Sequence, residues 1–110
     1  MADTVFAVQF VETPLFTAQI LALATDDEYQ ALQEQLVKQP DAGDLVRGGG
    51  GIRKIRMARP GSGKRGGARV IYFWQKHRAM IYMLVAYAKP AKVDLSPAEV
   101  ATLRDLIKAL

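Results

Sequence analysis

The chain has 110 residues, 50% of them apolar, and a formal net charge of +4. That suits one domain spanning 1–110, long enough for its own core and too apolar to stay disordered; the absence of cysteine excludes disulfides, thiolate metal sites and cysteine nucleophiles. No apolar run approaches the ~20 residues of a membrane span, and Met1-Ala2-Asp3 lacks the basic lead of a secretory signal, so a cytoplasmic protein with no membrane partner is expected.

Thr4–Val11, rich in Val and Phe, predicts a strand. Thr13-Pro14 supplies an N-cap followed by proline at the first helical position, and Phe16, Ile20 and Leu23 follow at helical spacing. Thr25-Asp26-Asp27-Glu28 is a capping-box pattern that starts a second helix, striped by Tyr29, Leu32 and Leu36 and stopped by Pro40. All nine glycines lie between Gly43 and Gly67, four of them in the unbroken run Gly48–Gly51. Ile52–Ala58 alternates, with Arg53, Ile55 and Met57 on one face and Lys54 and Arg56 on the other. In Ala68–Gln75, Val70, Tyr72 and Trp74 share one face, and Arg69, Ile71 and Phe73 the other. Lys76-His77-Arg78 reads as a hairpin turn, and Ala79–Ala88 as a nearly continuous apolar, hence central, strand. Ser96-Pro97-Ala98-Glu99 combines a capping box with proline at the first helical position, and Val100, Leu103, Leu106, Ile107 and Leu110 complete a helical stripe. The order is strand, two helices, three antiparallel strands, helix. An α+β fold is expected, with the helices on one side of a twisted antiparallel sheet.

The charge is unevenly spread. Residues 1–44 hold eight acids and one base, whereas 45–93 hold twelve bases and no acid. Within that block Gly61–Gly66 fits G-x-G-x-x-G as a string, but a strand follows where the dinucleotide fingerprint needs a helix, and Arg65 stands where a P-loop needs Ser or Thr. His77 is alone and reads as a polar turn residue. With no acids across the block, a carboxylate-held metal and a carboxylate base are not expected, and no cofactor is implied. A solvated basic surface is the plainest account of such a run. The alternation argues for more. Lys54 and Arg56 share a strand face, Arg69 opens the next strand and Lys89 ends the last, so antiparallel pairing would gather them near one end of the sheet. A lysine among cations loses preference for its ammonium form and becomes a candidate base. Guanidinium groups stabilise charge developing on phosphate. Tyr87, two residues before Lys89 and on its face, is placed to stack a base or donate a proton; Tyr72, Trp74 and Tyr82 read as packing residues. These parts suffice for metal-free RNA cleavage by attack of a 2′-hydroxyl.

Gly51-Ile52-Arg53-Lys54-Ile55-Arg56, then Gly63-Lys64-Arg65-Gly66-Gly67-Ala68-Arg69-Val70-Ile71-Tyr72, then Tyr87-Ala88-Lys89 and Asp94-Leu95-Ser96 resemble the HigB branch of the RelE toxin superfamily, and the helical hairpin from Asp26 to Pro40 matches in kind. The resemblance implies a RelE-like microbial ribonuclease fold and the toxin of a type II toxin–antitoxin system, a ribosome-dependent mRNA endonuclease that inhibits translation. It implies a cognate antitoxin, a helix-turn-helix protein of the HigA kind, with operator DNA reached only through that partner. By position, Lys54 and Arg56 match the family's strand pair, Arg69 the arginine that opens the next strand, and Lys89 the lysine after the last strand. The reading that follows makes Lys54 the candidate base, has Arg56 and Arg69 stabilise the transition state, Tyr87 stack or act as acid and Lys89 bind phosphate, with Arg53, Arg59, Lys64 and Arg65 steering the protein to ribosomal RNA. The chain departs from RelE at Pro90, where that toxin has arginine, and Tyr87 stands in for a later tyrosine. Relatives that poison gyrase make a non-cleaving nucleic-acid-binding or gyrase-inhibiting toxin the alternative.

Overall fold

A computed structural model describes residues 7–57, 67–88 and 94–110. Strand β1 (Gln9–Glu12) runs into helix α1 (Pro14–Leu23) and helix α2 (Asp26–Lys38). A two-residue strand β2 (Asp44–Leu45), which nothing in the sequence announced, precedes β3 (Ile52–Met57), β4 (Ala68–Gln75), a 3₁₀ turn at Lys76–Arg78, β5 (Met80–Ala88) and helix α3 (Pro97–Lys108). The helix starts follow their local chemistry. Thr13 Oγ1 accepts from Phe16 N at 3.0 Å. Reciprocal capping boxes join Thr25 to Glu28 and Ser96 to Glu99, and each such cap is worth about 1 kcal/mol.

The five strands form one sheet in the order β1-β5-β4-β3-β2. The expected all-antiparallel sheet is corrected at one edge, because β1 lies parallel to β5, pairing Gln9 with Met80 and Glu12 with Met83. The physical reason is the path of the chain. The α1–α2 hairpin carries it across the sheet to the far edge, and the β3–β4–β5 meander returns it in the direction in which it began.

The expectation that all helices lie on one side is also corrected. Phe16, Ile20, Leu32 and Leu36 of α1 and α2 pack with Ile55, Val70, Tyr72, Ile81 and Met83. Leu103 and Ile107 of α3 pack with Ile52, Ile71, Tyr82 and Leu84 in a separate cluster on the opposite face. Strands β4 and β5 are apolar on both faces, so one layer of helices would leave half of that surface in water. Two members of the α3 stripe, Leu106 and Leu110, remain exposed.

Two local devices fix the sheet. Tyr72 is fully buried, and its hydroxyl accepts from Gly43 N at 2.9 Å while donating to Pro40 O at 2.7 Å, tying the end of α2 to β4. Any side chain at Gly43 would meet that ring and the Lys54 carbonyl at 2.9 Å. In β5 the register slips. Ile71 pairs with Val85 and Tyr72 with Met83, so Leu84 is the extra residue of a β-bulge.

Candidate active site

On β3 the alternation holds. Ile52, Lys54 and Arg56 share the α3 face, while Arg53, Ile55 and Met57 face the helical hairpin. Arg56 pairs with Arg69 across β3–β4, and Arg69 with Tyr87 across β4–β5. Three of the expected residues thus form one row over three strands, with Lys54 two positions along on the same face. The bulge is what completes the row. Tyr82 pairs with Phe73 on the α3 face. Simple alternation from Tyr82 would turn residue 87 to the other face, and the one-residue insertion at Leu84 turns it back.

Arg69 is 8% exposed, and its Nη1 has no hydrogen-bond partner among the described residues; the buried Tyr87 Oη has none either. Both are donors. An unsatisfied buried donor costs about 1–3 kcal/mol, more when charged, and these two stand on paired positions of neighbouring strands. Burial, first, and then the charge of Asp94 raise the Tyr87 pKa above its ordinary 10.0, with Glu99 adding and Arg69 opposing. The phenol therefore keeps its proton at neutral pH.

Lys54 does not sit among cations alone. Its Nζ lies 3.4 Å from Asp94 Oδ1. The expectation of acid-free surroundings is corrected, because the acid-free stretch of sequence ends at Val93 and the next residue folds back over β3. The same Asp94 oxygen accepts from Leu95 N at 2.8 Å. That backbone bond, with Lys54 adding and partial burial opposing, holds the Asp94 pKa below its ordinary 3.8. Asp94 is thus the site residue that reasoning from composition missed. Its signal was the Asp94-Leu95-Ser96 motif itself, placed where a charged residue precedes a helix cap.

Arg53 is not brought to this row. It lies on the hairpin face, where Nη1 donates to Gly43 O at 2.7 Å and Asp41 O at 3.2 Å and so braces the loop after α2. Arg59, Lys64, Arg65 and Lys89 lie outside the described residues. His77 is exposed on the 3₁₀ turn. Tyr72 and Tyr82 are core residues, and Trp74 packs against the hairpin-side core. Among the described residues, no group of three or more His, Cys, Asp or Glu could hold a metal ion, and no helix is long and apolar enough to cross a membrane.

The molecule is therefore an α+β protein with a cationic row on one face of a mixed sheet, the kind of surface that meets phosphates. The family model described as the RelE toxin of the RelE/RelB toxin–antitoxin system matches residues 18–110, and the chain belongs to the RelE toxin family. Its fold is similar to that of a double-arginine mutant of E. coli toxin RelE in the free state, with a TM-score of 0.59, 18% identity, and 96% of this chain and 100% of that chain covered. It is also similar to a chain of the intact E. coli RelBE toxin–antitoxin complex, with a TM-score of 0.53, 17% identity, and 73% of this chain and 94% of that chain covered.

Proposed function

We propose that this RelE-family toxin cleaves mRNA on the ribosome, without a metal, through attack of a 2′-hydroxyl on the adjacent phosphate. The observation that carries the reading is a pair of buried donors without partners among the described residues, Arg69 Nη1 and Tyr87 Oη, standing in register beside Arg56. A phosphate laid across the row receives charge-assisted bonds from the two arginines, which strengthen as negative charge grows on its oxygens. The bond from phosphorus to the 5′-oxygen then breaks, and Tyr87, held protonated, gives its proton to that leaving oxygen. The products are a 2′,3′-cyclic phosphate and a 5′-hydroxyl.

The pairing of Lys54 with Asp94 refines the roles expected of the base. Lys54 serves as the cation that draws the phosphate, and Asp94, ionised at neutral pH, takes the 2′-hydroxyl proton. A cognate antitoxin is the natural partner for the basic face, as the E. coli relative is found in a toxin–antitoxin complex. An antitoxin of the helix-turn-helix, HigA-like kind fits the sequence reading.

The test is induced expression with mapping of new mRNA 5′ ends. Codon-phased cleavage is expected, reduced 100-fold or more by Arg69→Ala, in line with the loss of one oxyanion donor, about 10²–10³. Growth arrest with intact mRNA and trapped gyrase–DNA cleavage complexes would instead establish the non-cleaving, gyrase-inhibiting alternative.

A further inference from the structure

Strand β1 covers the edge of β5 only as far as the Glu12–Met83 pair. Beyond it, the start of α1 takes over. Thr13 Oγ1 donates to Leu84 O at 2.7 Å, and Gln19 Oε1 accepts from Ala86 N at 2.8 Å. Between α1 and α3 the edge is left open as a cleft of about 340 Å³, within the size range of small-ligand sites. Its lining includes Leu15, Val85, Leu103 and Tyr87, with Gln19 and Glu99 as polar members. Tyr87 is thus shared, belonging to the cationic row and to the wall of this cleft.

The orientation of Gln19 is fixed by chemistry. A backbone N–H can only donate, so the side-chain carbonyl must face Ala86, and the NH₂ group keeps both hydrogens. Nε2 makes no hydrogen bond among the described residues. The cleft therefore offers a largely apolar lining that includes Tyr87, together with a fixed donor. Glu99, whose Oε1 accepts from Ser96 N at 2.8 Å, is the acidic member of the lining. We propose that this cleft is a nucleobase subsite, in which the Gln19 amide donates to an acceptor on the base next to the cleaved bond and so sets base preference at that position. The proposal rests on the RNA-cleaving reading for its substrate, and on the cleft's own geometry for its ligand.

The discriminating variant is Gln19→Glu. It keeps an oxygen for Ala86 N–H, so the edge stays capped, but it replaces the donor with an acceptor. Mapping of mRNA ends should show cleavage retained, with the preference at one position beside the cut changed about tenfold or more, the weight of a specific base contact. Unchanged preference would reduce Gln19 to a strand-edge cap and overturn the proposal. A second measurement is independent of cleavage. The four 3′-nucleoside monophosphates are titrated into the full chain and followed by NMR. Shifts at Val85 and Thr102 in the wild type, altered in base order in Gln19→Glu, support the subsite; no shift there overturns it. If the wild type leaves mRNA intact while nucleotides still move these signals, the cleavage reading fails and the base-binding cleft stands.

Discussion

Under the proposed function, Arg69 sets catalysis against stability within one side chain. Its buried Nη1 lacks a partner among the described residues, so replacing it with a residue of similar volume removes an unsatisfied charged donor. Arg69→Met is expected to raise unfolding free energy by about 1–3 kcal/mol, read from urea denaturation, while mRNA cleavage falls 100-fold or more. Destabilisation with retained cleavage would place Arg69 in the scaffold instead. The base assignment has a separate signature. Asp94 has its pKa lowered, so a carboxylate base gives a cleavage rate that is flat between about pH 6 and 9, whereas a lysine amine gives a rate rising tenfold per unit across that range. Single-turnover rates in Lys54→Ala and Asp94→Asn backgrounds complete the test, with Asp94→Asn the slower if the carboxylate takes the proton. Lys54, Arg56 and Arg69 were legible because strand alternation states which face a residue shares. Asp94 was not, because its contact with Lys54 spans 40 residues of sequence and depends on where α3 docks.

At the scale of elements, capping chemistry made the helix starts readable and alternation made β3 and β4 readable. β2 escaped notice because two residues carry no periodicity, and the parallel β1–β5 pair because a direction of pairing is not encoded within either strand. The bulge at Leu84 is the most consequential of these hidden features, since a single extra residue decides whether Tyr87 reaches the cationic row. A milder irregularity closes the β4–β5 hairpin. Ala79 sits at φ 53°, ψ 44°, the left-handed region, which costs a residue with a Cβ roughly 1–2 kcal/mol. Ala79→Gly should therefore stabilise the protein by up to about 1 kcal/mol after the extra unfolded-state entropy of glycine is subtracted, raising the urea midpoint without changing the slope or the cleavage rate.

Over the whole molecule the sheet separates two fields. The acids of α2 stand behind one face, and Lys54, Arg56 and Arg69 on the other, the charge separation that the proposed polyanion substrate would meet. Its tyrosines add a pH limit. Tyr29 is raised above 10.0 by burial and then by its bond to Glu12, and Tyr72 and Tyr87 are raised chiefly by burial. Their unfolded counterparts ionise near pH 10, so the stability these groups contribute is complete below about pH 10 and is lost as pH rises toward the native values. Ultraviolet titration should show at least these three phenols withheld past pH 10, with the urea midpoint falling over the same range. The sheet also has a temporal consequence. Thr13 finds the Leu84 carbonyl 71 residues later in the chain, so the first strand and helix cannot be seated until β5 exists. The acidic hairpin precedes the basic strands in the chain, so those strands follow a segment that already carries countercharge. Tyr87 comes into register with Arg69 only when β5 pairs with β4, so the row over three strands needs a segment that lies late in the chain.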